Sequence, residues 1–205
     1  MIERPILFSA AMVRALLAGK KTQTRRVVLK SRRDADYDFT FVDPVRNAAI
    51  FRANRPQKRG ELLIPSFGVV CPYGVPGDRL WVRESFSAWG AFGVDGRVRY
   101  RATDDKPNPL GWKPSIHMPR AVCRLTLEIA DIRVQRLQDI SEEDAEAEGA
   151  HRKIWITSPM SAGAMNARGE RGTHRDGYKD IWEEINGPGS WDLNPWVWAI
   201  TFRKL

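Results

Sequence analysis

Three side chains in this sequence are suited to proton transfer or nucleophilic attack: Lys21, Thr24 and Glu148. Lys21 stands in a crowd of cations formed by Lys20, Arg25, Arg26, Lys30, Arg32 and Arg33. A lysine pressed by like charge, or drawn out of water, gives up its proton more readily and can then act as a base. Thr24 would supply the hydroxyl it activates. Whether the two meet depends on the turn after Gly19, because in a plain strand positions 21 and 24 face opposite sides. Glu148 closes an acidic stretch, where a helix C-terminus repels negative charge, and a cation such as Lys21 would account for its place there. The residue types alone equally fit a surface cation, a strand-forming threonine and a solubilising acid.

The elements that must position these groups have their own signals. Ser9 precedes a stretch in which Met12, Val13, Leu16 and Leu17 recur at helical spacing, and Gly19 can take the left-handed stop. Residues 20–29 then turn to Thr and Val, so the basic cluster sits where a helix hands over to a strand. Ser141 opens a second capped helix with acids in its first turn and Gly149 at its end; it carries Glu142, Glu143 and Glu146 beside Glu148. Tyr178, Ile181, Trp182 and Ile185 mark a third helix, amphipathic, that stops at Asn186 and Gly187.

Strands are expected at 61–67, 79–84, 97–102, 125–134 and 196–202. In the fourth of these, Leu125, Leu127 and Ile129 alternate with polar neighbours, and Ile132 and Val134 continue in the opposite phase. That flip predicts a bulge or a tight bend near Ala130 and Asp131. Residues 30–60 read as a basic excursion with one hairpin, and 157–177, rich in Gly, Ser, Ala and Arg, as a basic loop. No strand-helix-strand repeat and no Walker or dinucleotide glycine pattern occurs. The expected class is therefore mixed α+β, a barrel rather than a parallel nucleotide-binding sheet.

At 205 residues with 42% hydrophobic and 28% charged side chains, the chain suits one globular domain and not a disordered or fibrous one. A net charge of +8 favours polyanionic partners. Cys71 and Cys123 are too few for a disulfide framework and read as reduced thiols. His117, His151 and His174 lack metal-ligand spacing, so no metal and no cofactor is expected. The N-terminus lacks an export signal and no apolar run approaches the roughly 18 residues of a membrane span, which points to a cytosolic protein. Among the tryptophans, Trp182, Trp196 and Trp198 fall at core positions, while Trp89, Trp112 and Trp155, flanked by Gly or Pro segments, suit a platform for a nucleobase.

Residues 17–26, Leu-Ala-Gly-Lys-Lys-Thr-Gln-Thr-Arg-Arg, resemble the L-x-G-x-K-T-x-T-x-R signature of ASCH domains, small barrels related to the PUA fold. Residues 77–84, 113–120, 147–149 and 194–198 resemble later segments of the longer phage and prophage members, in the same order. The resemblance implies a single PUA-like barrel over 1–205, with about three short helices and basic insertions at 30–60 and 157–177. It also implies a metal-independent amidohydrolase acting on N(4)-acetylcytidine or a related acylated cytosine, with Lys21, Thr24 and Glu148 catalytic; the other glutamates of the acidic helix lie within slippage distance of Glu148. Arg26, which matches the signature, is expected either to contact substrate or to hold a structural ion pair. Arg83, Glu84 and Trp112 complete the expected substrate contacts, with an internal ion pair as the other role for Arg83 and Glu84. The expected partner is a modified nucleoside or RNA, with no membrane and a monomeric chain. A non-enzymatic RNA or modified-base reader, or a ribonuclease, is the alternative.

Overall fold

The computed structural model describes residues 1–28, 36–43, 46–61, 63–87, 98–104, 106, 108, 111–152, 154–155 and 170–205. The first half of the chain contains β1 (Glu3–Leu7), α1 (Ala10–Leu17), β2 (Gln23–Val27), β3 (Tyr37–Asp43), β4 (Ala48–Ala53), β5 (Ser66–Val70), β6 (Arg79–Arg83), β7 (Phe86–Ser87) and β8 (Arg99–Tyr100). The second half contains β9 (Thr126–Arg136), α2 (Glu142–Ala147), β10 (Ile154–Trp155), β11 (Glu170–Arg171), α3 (His174–Asn186) and β12 (Trp196–Lys204).

The main sheet has the order β1-β6-β9-β12-β2. β1 runs parallel to β6, and the remaining pairs are antiparallel. Its inner face carries Leu80, Val82, Leu127, Ile129, Trp198, Ile200 and Phe202, all buried in one cluster with Val13 and Leu16 of α1. Full burial of each such side chain contributes about 1.5–3 kcal/mol, so this face is where the fold's stability concentrates. The expected bulge is present: Ile129 pairs with Phe202 and Asp131 with Thr201, leaving Ala130 as the extra residue. That insertion is the physical origin of the phase flip seen in the sequence.

The mixed α+β class is as expected, but none of the sheets closes on itself among the described residues. β1 and β2 are the two edges of the main sheet. A side chain spans the gap between them: the Arg26 guanidinium donates to the Leu7 carbonyl at 2.6 Å and lies 5.4 Å from the centre of the Phe8 ring.

The excursion at 30–60 contains the expected hairpin, β3 with β4, and β5 adds a third strand. This small sheet is anchored on the start of β12 through Phe39, Phe51 and the Trp196 ring, whose Nε1 donates to the Tyr37 carbonyl at 3.1 Å. Other boundaries differ from expectation. The strand expected at 61–67 begins only at Ser66, and the one expected at 97–102 is the short β8. β1 had no sequence signal, because Pro5 breaks its pattern; a proline is tolerated there because β1 is an edge strand. Helix α3 begins at His174, inside the segment read as a loop. Residues 157–169 of that segment, with Trp89, lie outside the described residues, as does the Trp155 side chain.

Candidate functional site

The turn after α1 decides where Lys21 goes. Ser9 caps the start of α1, Gly19 adopts φ 70° just past its end, and the Lys20 and Lys21 amides both donate back to the Ala15 carbonyl. The Thr22 amide then donates to Ala147 at 2.8 Å, while its carbonyl accepts the Phe202 amide at 2.9 Å. Residues 20–22 are thereby laced between α1, the end of α2 and β12. Lys21 leaves the chain before β2 begins, so strand alternation does not separate it from Thr24.

Of the acids on and beside α2, Glu148 is the one that meets Lys21. The Lys21 Nζ donates to Glu148 Oε2 at 2.6 Å and to the Glu148 carbonyl at 2.9 Å. One ammonium therefore answers both negative ends at this helix terminus, the side chain and the last carbonyl, which removes the conflict of an acid at a C-terminus. Gly149 makes the approach possible: it sits at φ 85°, and a Cβ there would lie 3.3 Å from Ala15 and 3.6 Å from Lys21.

A second cation holds the other carboxylate oxygen. Arg25 Nη1 lies 3.2 Å from Glu148 Oε1 and 2.6 Å from Gln23 Oε1, and its Nη2 lies 2.7 Å from Asp144 Oδ2. Gln23 Nε2 donates to Asp144 at 3.1 Å and to the Thr201 hydroxyl at 3.2 Å, and Arg133 reaches Asp144 from β9. The Lys21 and Glu148 side chains are 1% and 2% exposed, so the charges at the centre are nearly dry. Burial pushes the Lys21 ammonium below its ordinary 10.5; contact with Glu148 works against this, and Arg26 and Arg25 reinforce it. Tyr178, on α3, completes the cluster: burial and then Glu148 raise its phenol well above 10, and Arg25 lies 5.9 Å from its ring centre.

Beside this network is a recess of about 50 Å³, lined by Met12, Thr24, Arg26, Glu148, Tyr178 and Ile185 among others. It lies along the open edge of β2. Thr22 and Val28 hydrogen-bond to β12, and with the pairs Thr24–Ile200 and Arg26–Trp198 this sets the alternation of the strand. The main-chain groups of Gln23, Arg25 and Val27 therefore point away from β12, toward the open edge. The Thr24 hydroxyl has no hydrogen-bond partner among the described residues, although the residue is 1% exposed. The site thus combines a deprotonatable amine, an uncommitted hydroxyl on the recess and main-chain N–H groups at an open strand edge.

Other expected contacts lie elsewhere. Arg83 donates to the Ile116 carbonyl and lies 5.3 Å from the centre of the Trp81 ring. Glu84 is held by Arg124 in a two-pronged ion pair at 2.7 and 2.8 Å, and Trp112 is faced by Arg99 at 5.8 Å. None of these three lines the recess. Conversely, Arg25, Asp144, Gln23 and Tyr178 belong to the cluster without having been singled out in the sequence. Among the described residues no group of three or more His, Cys, Asp or Glu is placed to hold a metal ion, and no helix is long and apolar enough to cross a membrane. No family model, curated protein or solved structure matches the chain.

Proposed function

We propose that this chain is an ASCH-type amidohydrolase of the PUA-like barrel class, releasing the acyl group from an N(4)-acylated cytosine, free or in a nucleoside. The observation that carries the reading is the burial of Lys21 against Glu148 beside a recess that Thr24 lines. Neutral Lys21 takes the Thr24 hydroxyl proton as the Thr24 oxygen bonds to the acyl carbon. The carbonyl oxygen becomes an oxyanion, which the Arg25 amide on the open edge of β2 is suited to receive. Collapse breaks the C–N bond, and the Lys21 ammonium returns its proton to the leaving cytosine amine. Water then cleaves the acyl-threonine, restoring Thr24 and releasing the acid. Glu148 holds Lys21 in place and stabilises its charge while it carries the proton.

The test is incubation of the purified protein with N(4)-acetylcytidine in the presence of a chelator. Acetate and cytidine should appear, and Thr24→Ala and Lys21→Ala should each lose at least about 100-fold in rate, the scale of general-base and nucleophile removal. Absence of acetate release by the unmodified protein overturns the reading. The net charge of +8 favours a second one, a reader of RNA or modified bases. Under it, RNA affinity would fall steeply with salt and be the same in Thr24→Ala as in the unmodified protein, with no acetate formed.

A further inference from the structure

The recess beside Lys21 and Glu148 lies at a seam between two apolar clusters. Met12 of α1 packs on the cluster of the main sheet, while Val27 of β2 and Ile181 of α3 pack on the second cluster, in which Trp182 is buried. All four line the recess, and Ile185 extends the same wall one helical turn beyond Ile181. The wall is the apolar stripe of α3: Trp182 is 4% exposed, and Ile185, at the far end, is 49% exposed. Hydrocarbon therefore runs from the buried cluster out to solvent along one side of the recess.

Much of the polar lining is committed within the protein. Glu148 receives Lys21 and Arg25, Arg26 donates to the Leu7 carbonyl, and the Asn186 side-chain amide donates to the Trp182 carbonyl at 3.0 Å. A nucleobase held in a pocket is read by hydrogen bonds to its edge, which these groups are not free to supply. An alkyl chain asks only for apolar wall. Size points the same way. A water needs roughly 10–15 Å³ of such space, so a recess of about 50 Å³ holds on the order of four water-sized groups. A short acyl chain fits that volume, whereas a cytosine ring with its sugar does not.

We propose that the recess is the acyl pocket of the reaction, in which Ile181 and Ile185 select the length of the acyl chain. This rests on the reading of the site as an acyl-cytosine hydrolase. The acyl carbon lies at Thr24, the tail runs along α3, and the cytosine stays outside. The bonds made and broken remain those of the acetyl case, and only the rate depends on the tail. Each methylene withdrawn from water against this wall favours the reaction until the recess is full, so chains longer than acetyl, up to about butyryl, are the better substrates.

The first experiment measures kcat/KM for N(4)-acetyl-, propionyl-, butyryl- and hexanoylcytidine. The expected result is a rise of roughly fourfold per added methylene as far as butyryl, then a fall at hexanoyl. Ile181→Ala should make room and move the optimum to hexanoyl. Equal rates for acetyl and butyryl overturn the proposal, as does an active Ile181→Ala protein with unchanged preference. The second experiment needs neither turnover nor a change in α3: methyl NMR of isoleucine-labelled Thr24→Ala protein, titrated with N(4)-butyrylcytidine and with cytidine. The butyryl compound should shift the Ile181 Cδ1 methyl resonance and cytidine should leave it in place. A methyl that responds equally to both, or to neither, overturns the pocket assignment. Absence of acid release from every compound by the unmodified protein overturns the hydrolase reading instead, and leaves the assignment to be decided by the methyl shift.

Discussion

Glu148 is bound by two buried cations, and Lys21 by one buried carboxylate, so the two partners of this ion pair are not equivalent to lose. Glu148→Ala would leave Lys21 without a counter-charge beside Arg25, which keeps only its pair with Asp144, and by the usual cost of breaking a buried pair this destabilises by about 3–5 kcal/mol. Lys21→Met would leave Glu148 still bonded to Arg25 at 3.2 Å and would replace the amine stem with an apolar one. Urea unfolding should therefore show a much larger loss for the glutamate than for the lysine; equal losses would mean that Arg25 does not share the carboxylate. The pH dependence of activity follows from the same burial. Lys21 must be neutral to act as a base, and its affinity for a proton is lowered from 10.5, chiefly by desolvation. Acyl cleavage should rise with pH through one ionisation below 10.5 and then level off, and Lys21→Arg, which cannot lose its proton in that range, should abolish the rise.

At the scale of elements, Gly177 offers a test with a sign that the helix alone would give wrongly. Glycine within a helix ordinarily costs about 0.5–1 kcal/mol relative to alanine. Here a Cβ would stand 1.9 Å from the His151 carbonyl oxygen, so α3 would have to move away from the main chain at His151. Gly177→Ala should accordingly destabilise, by about 1–3 kcal/mol as for other overpacked contacts, and calorimetry would read it as a lower melting temperature. The same glycine explains part of what the sequence hid. Gly177 and its neighbours read as loop, whereas the Thr173–Asp176 box, a local and legible signal, starts α3 ahead of them. The caps at Ser9 and Ser141 and the stops at Gly19 and Gly149 were legible because each acts on neighbours a few residues away. β1 was not, since its strand character comes from pairing with β6, some 76 positions along the chain. Within the cluster, Lys21 and Thr24 had a local signature. Arg25, Asp144 and Tyr178 are ordinary residues until folding brings their partners across gaps of 119 and 123 positions.

Across the whole molecule, Asp144 is the residue through which the site and the fold share charge. Its amide donates to the Ser141 cap of α2, while its carboxylate pairs with Arg25 on β2 and with Arg133 on β9 and accepts from Gln23, so three elements meet at one carboxylate. Burial alone would raise its affinity for a proton, but Arg25, Gln23 and Arg133 together outweigh it and hold the group below its ordinary 3.8. A carboxyl lowered in the folded state adds stability that is present above the unfolded value and lost as pH falls through the folded one. Acid unfolding should therefore begin to draw on Asp144 as the pH drops below about 3.8. Two more carboxyls belong to the same acid limb, each held at about 2: Glu61, chiefly by its hydrogen bonds from Arg55, and Asp104, chiefly by those from Arg99. Those two are solvated pairs between residues five or six positions apart, and their loss should stay local. Asp144→Asn should lower stability at neutral pH and flatten, without erasing, the fall in stability toward acid. It alone of the three should also shift the Lys21 titration, because Arg25, freed from Asp144, can turn wholly onto Glu148 and draw its charge away from Lys21, so that the lysine loses its proton at lower pH. A Lys21 midpoint that does not move in Asp144→Asn would mean that the two carboxylates titrate independently despite sharing Arg25.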